Sequence, residues 1–105
     1  MQELISVIIK EPGKDPERKV IKNTLEAMQG IVGGYIEIVP LASEVLIVCN
    51  EESLIHHLPY NCTLDHHSIY GTFFLCGFEG ENLCSLPEEY EIEKGGDEIE
   101  RNHSS

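Results

Sequence analysis

Three apolar runs leave this chain few ways to fold. Val45-Leu46-Ile47-Val48-Cys49 carries no polar residue on either alternating set of positions. As a strand it is therefore apolar on both faces and suits a central place in a sheet. Leu4–Ile9 is a β-branched run with little polarity on either face, as expected of a strand covered on both sides, and Gly71–Gly77 reads as another buried strand.

The segments between these runs carry the punctuation. Glu11-Pro12-Gly13-Lys14-Asp15-Pro16 is concentrated turn chemistry, and a strand from about Glu17 to Ile21 completes a hairpin. Asn23 is placed to cap a helix over Thr24–Val32, with Glu26 as its box partner, Leu25, Met28 and Val32 as an apolar stripe, and Gly33 as its stop. A helix this short is marginal alone and must pack on a sheet. Tyr35–Leu41 and Glu44–Cys49 follow as strands, and Pro40 puts the end of the first near an edge or bulge. Residues 50–70 read as a long irregular connection, with Leu54 and Leu58 marking one turn of helix; such connections in compact domains are often functional. After Gly71–Gly77, a turn at Phe78–Asn82 leads to a short strand at Leu83–Ser85, and Ser85-x-x-Glu88 with Pro87 resembles a weak helix start.

The order β-β-α-β-β-loop-β-β-α excludes regular βαβ alternation. It predicts an α+β fold: a small mixed sheet with the main helix packed on one face. At 105 residues and 41% hydrophobic content there is material for one core. Residues 1–94 are expected to form that single domain, and residues 95–105 a disordered acidic tail.

Charge is segregated along the chain. The net charge is −12, yet Lys10, Lys14, Arg18, Lys19 and Lys22 all fall in the first 22 residues, and residues 23–93 hold twelve acids with no Lys or Arg. Phosphate neutralisation on duplex nucleic acid requires clustered cations, so the body is unsuited to direct nucleic-acid binding. No apolar run approaches the roughly 18–20 residues of a membrane helix, and the opening residues carry no leader pattern, which points to a cytoplasmic protein that does not engage membranes. Cys49, Cys62, Cys76 and Cys84 lack paired spacing, and Cys49 and Cys76 lie inside strand-like runs, as reduced core thiols do.

Several groupings invite chemistry. His56-His57 and His66-His67 flank Cys62 and Asp65, all competent zinc ligands, but their spacing matches no standard site and adjacent histidines diverge, so they read as solvated loop residues. Cys62 with a loop histidine resembles no cysteine-enzyme motif. Glu51-Glu52 diverge on an extended chain and read as surface carboxylates. No catalytic set, metal site or cofactor is expected. The most informative local feature is Gly33-Gly34-Tyr35, where two glycines turn the backbone between helix and strand. They read either as a helix stop followed by an ordinary strand aromatic or as a site where exposed amides hold polar groups while a planar ligand stacks on Tyr35; because the glycines end a helix rather than open one, they form no phosphate-binding fingerprint.

Those residues also carry a resemblance. The opening strand into Glu11-Pro12-Gly13, then Asn23–Gln29, Val32-Gly33-Gly34-Tyr35-Ile36-Glu37, Asn50-Glu51-Glu52, Leu58-Pro59-x-Asn61 and Gly71-Thr72-Phe73-Phe74 resemble, in order, an uncharacterised family of small domains common in phages, plasmids and other mobile elements. Family members commonly place a basic residue shortly after Asn61, where this chain has Cys62 and Thr63. The resemblance implies a mobile-element setting and supplies no activity.

Two functions are expected on these grounds. The first is a non-enzymatic, oligomeric sponge for a nucleotide-type immune signal: Tyr35 stacks the base, Asn50 and Asn61 read its edges, and the Gly33 and Gly34 amides, or Arg18 and Lys22 of the same or a neighbouring subunit, hold phosphate. The second is an acidic inhibitor that offers carboxylates in place of DNA phosphates to a nucleic-acid-binding host defence protein.

Overall fold

The structure, a computed structural model, describes residues 3–92 and 99–100. Its elements are β1 (Leu4–Lys10), β2 (Glu17–Lys22), α1 (Leu25–Val32), β3 (Ile36–Ala42), β4 (Val45–Asn50), β5 (Tyr60–Leu64), β6 (His67–Tyr70), β7 (Phe73–Glu79), β8 (Asn82–Cys84), β9 (Glu91–Ile92) and β10 (Ile99–Glu100). The main sheet runs β2-β1-β7-β4-β3, with β8 pairing the end of β7. The apolar runs occupy β1, β7 and β4, the three inner strands, as their composition demands. Every ladder among the described residues is antiparallel, so the expected mixed sheet is corrected to an antiparallel one.

Both faces of this sheet are covered. On one, α1 presses Met28 and Val32 onto Ile5, Val7, Leu46, Val48, Phe74 and Cys76. On the other, Ile8, Val45, Ile47, Phe73 and Leu75 meet the β5–β6 hairpin through Cys62, Leu64 and Ile69, and the closing segment through Leu86, Tyr90 and Ile92. The product is an α+β domain of three layers: helix, sheet, and hairpin with closing segment. Pro40 does lie on an edge strand, at a register shift between Pro40 and Ala42.

Three local expectations give way. Thr24, not Asn23, caps α1, its hydroxyl accepting from the Ala27 amide at 3.1 Å. Asn23 instead donates its side-chain amide to the Leu83 carbonyl, a tertiary bond that outcompetes the local one. The connection over residues 50–70 is only partly irregular, because β5 and β6 pair across Asp65 and His66, both at positive φ. Two such residues make the tight hairpin turn that Asn-Gly normally signals, and Asp-His does not advertise it. Finally, no helix follows Ser85 among the described residues. The Ser85 hydroxyl accepts from the Ser6 amide, the Leu86 amide donates to the Ser6 carbonyl, and a turn closed by Tyr90 N–H to the Pro87 carbonyl leads into β9. The acidic tail expected from residue 95 lies outside the described residues apart from Ile99–Glu100, which pair with Glu91–Ile92. Among the described residues no helix is long and apolar enough to cross a membrane.

Candidate binding site

The end of α1 shapes a groove of about 330 Å³ lined by Gln29, Gly30, Gly33, Gly34, Tyr35, Asn50, Glu52 and His56. Gly33 sits at φ 82°, the left-handed conformation that closes a helix at little cost only for glycine. The Gly33 and Gly34 amides both donate to the Gln29 carbonyl, at 2.8 and 3.1 Å. They are thus engaged in ending the helix, which corrects the expectation that they are exposed to hold a ligand. Behind them Asn50 is buried, donating Nδ2 to the Val32 carbonyl at 3.1 Å while its Oδ1 accepts the Glu52 amide at 2.7 Å. A Cβ at Gly34 would stand 2.9 Å from Asn50 Nδ2, so the corner fits only because that residue has no side chain.

Tyr35 is fixed by its backbone and free at its ring. Its carbonyl accepts the Glu51 amide at 2.8 Å, while the residue as a whole is 64% exposed. Across the groove, Glu52 Oε1 lies 3.1 Å from His56 Nε2, one turn along the chain. Residues 51–57 wind through turns held by bonds such as His56 N–H to the Glu52 carbonyl and Leu58 N–H to that of Ser53.

The same turns wall a second, larger recess of about 540 Å³, bordered by Glu37, Cys49, Glu51, Glu52, His66 and Tyr70. Leu54 and Ile55 line it too, and are 68% and 72% exposed. Burial, with the Glu37 carboxylate adding to it, pushes the Cys49 thiol up to about 11, far from a reactive thiolate. Cys62 is wholly buried in the core and is not placed as a surface nucleophile. Among the described residues, no three His, Cys, Asp or Glu side chains converge as a metal-ligand set.

The other anticipated ligand residues lie elsewhere. Arg18 projects from β2 to the carbonyls of Pro87, Glu88 and Tyr90, the last at 3.0 Å, and to the Ser6 hydroxyl. Lys22 is exposed on the same strand. Strands β2 and β3 are opposite edges of the five-strand order, four ladder steps or roughly 19 Å apart. Asn61 is buried, its Nδ2 donating to the Lys10 and Gly71 carbonyls at 2.9 and 2.8 Å, and its Oδ1 is enclosed without a hydrogen-bond partner. Of the seven residues, the structure therefore brings together Gly33, Gly34, Tyr35 and Asn50, and adds Glu52 and His56. The sequence signal for the second recess was the adjacent apolar pair Leu54-Ile55 just after two acids, an odd pattern for a solvated loop.

Among the described residues these features define a small α+β domain with one helix on an antiparallel sheet and an acidic, aromatic-edged corner where Val32–Glu37 meets Asn50–Glu52. A family model described as a domain of unknown function, DUF3846, matches residues 5–99, and the chain belongs to that family. No curated protein and no solved structure matches it.

Proposed function

We propose that the chain is a non-catalytic binding domain whose acidic face, centred on the 51–57 turn, docks the basic surface of a partner protein that ordinarily contacts nucleic acid. One observation carries this reading: Leu54 and Ile55, two of the most exposed large apolar side chains, stand beside the carboxylates of Glu37, Glu51 and Glu52. Apolar contact supplies binding energy at the centre of an interface, and surrounding charge steers and selects the partner. The absence of Lys and Arg from residues 23–93 leaves that field unopposed in the body of the chain. In the mobile-element setting implied by the resemblance, the partner is a host defence protein. Capture from host lysate should recover a nucleic-acid-binding protein that DNA displaces and added salt releases, and Leu54→Asp should abolish capture. Capture unaffected by DNA, salt and Leu54→Asp would remove the reading.

A nucleotide ligand is the second reading, favoured by the exposed Tyr35 ring, which is free to stack a base. Its phosphates have less support, because the Gly33 and Gly34 amides and Arg18 are engaged within the fold. Lys22 of a neighbouring subunit in a homo-oligomer is then the available cation. Calorimetry against cyclic and ADP-ribose-type nucleotides tests it, and uniformly absent heat eliminates it.

A further inference from the structure

We infer that the groove at the end of α1 is a receptor for a single guanidinium or alkylammonium group, the head of an arginine or lysine side chain. Three independent parts of the groove favour the same sign of charge. The last turn of α1 borders it, and a helix C-terminus presents the negative end of the helix dipole. The Gly33 and Gly34 amides cap the Gln29 carbonyl and Asn50 Nδ2 caps that of Val32, so this end contributes only part of that field, and the two amides are not left to attract an anion. Glu52 supplies a full negative charge, its backbone fixed by Asn50 and its carboxylate oriented by His56. A carboxylate accepts up to about four hydrogen bonds, so the contact with His56 positions it without exhausting it. Tyr35 completes the groove with an exposed aromatic ring, whose face attracts a cation through the ring quadrupole.

The lining contains no Lys or Arg, and its one basic side chain, His56, meets Glu52 at Oε1, so an incoming cation would share the carboxylate with it. A planar guanidinium can stack on the Tyr35 ring while its N–H groups reach the Glu52 carboxylate, geometry that a spherical metal ion or a phosphate cannot use. This deepens the docking reading, on which it rests for the identity of the partner but not for the chemistry of the groove. The two recesses share Glu52, so a basic side chain seated here would lie beside the apolar contact at Leu54 and Ile55.

The test is an NMR titration of the full chain with N-acetyl-arginine amide, with N-acetyl-glutamine amide and AMP run in parallel. Saturable shifts confined to Gly33, Gly34, Tyr35, Glu52 and His56 are expected for the arginine amide, with affinity in the millimolar range for so small a probe. Tyr35→Leu and Glu52→Gln should each weaken it about fivefold or more, while Tyr35→Phe retains it. Equal shifts with the glutamine amide, absence of saturation, or binding indifferent to Tyr35→Leu and Glu52→Gln would overturn the inference, as would AMP occupying the groove more tightly. If the arginine amide binds but no partner is captured, docking fails alone. If Leu54→Asp abolishes partner capture while the arginine amide does not bind, only the groove inference fails.

Discussion

Asn50 and Asn61 illustrate how single amides organise this molecule. Each is buried and ties main chain from distant segments: Asn50 joins the end of α1 to the 51–57 turn, and Asn61 joins the end of β1 to Gly71. Asn61→Ala would leave two buried carbonyls without their donor, an expected loss of about 2–4 kcal/mol in urea unfolding. Gly34→Ala would push Asn50 from its two bonds, costing about 1–2 kcal/mol and shifting the Glu52 amide resonance. Cys76 makes a different prediction. Burial, with Cys84 adding to it, raises its thiol to about 12 from a reference value of 9.0. The native state therefore holds a proton that the unfolded state releases first. Stability from this group is fully present below about pH 9 and declines as pH rises toward 12, by about 1.4 kcal/mol per pH unit. Urea midpoints across pH 8–11 should show the fall, and Cys76→Ala should make it shallower, leaving the part that Cys49 contributes.

At the scale of elements, one side chain adds to the bonds and burial that hold the segment after β8. Arg18 reaches three carbonyls between Pro87 and Tyr90, and Leu86, Tyr90 and Ile92 seal the core on the hairpin face. A guanidinium fork serves several acceptors at once and an ammonium cannot in the same geometry. Arg18→Ala should cost about 1 kcal/mol and open residues 86–92 to amide exchange before the main sheet, with Arg18→Lys only partly restoring protection. Equal protection in all three proteins would show that apolar burial alone holds the segment. Helix α1 likewise owes its stability to context, since its eight residues are too few to persist without Met28 and Val32 packed on the sheet.

For the whole molecule, the dominant feature is a charge of −12 on 105 residues. Its cations are drawn largely to the β1–β2 hairpin at one edge, which leaves the rest of the surface self-repelling. Raising ionic strength from about 0.01 M to about 0.15 M shortens the screening length from about 30 to about 8 Å. The urea midpoint should therefore rise with salt over that range. A midpoint that falls would mean that attractive pairs outweigh repulsion. Among the described residues the recorded ion pairs, such as Lys14–Glu11 at 3.3 Å, are exposed and contribute little. The same field that weakens the free domain is what a basic partner would neutralise.

By itself the sequence determined the inner strands, the helix stop and the edge position of Pro40, because each is a short-range property. Two-faced apolar runs must lie inside a sheet, and a proline cannot donate within a ladder. Tertiary structure decided the rest. Cys62, Leu64 and Ile69 form the inner side of a hairpin only because a sheet face awaited covering. The Ser85 hydroxyl accepts from the Ser6 amide, 79 residues away in sequence, a bond that no local pattern announces. At the groove, a glycine that ends a helix by donating its amide inward cannot also offer that amide to a ligand, an exclusion visible only in the hydrogen bonds of the folded chain.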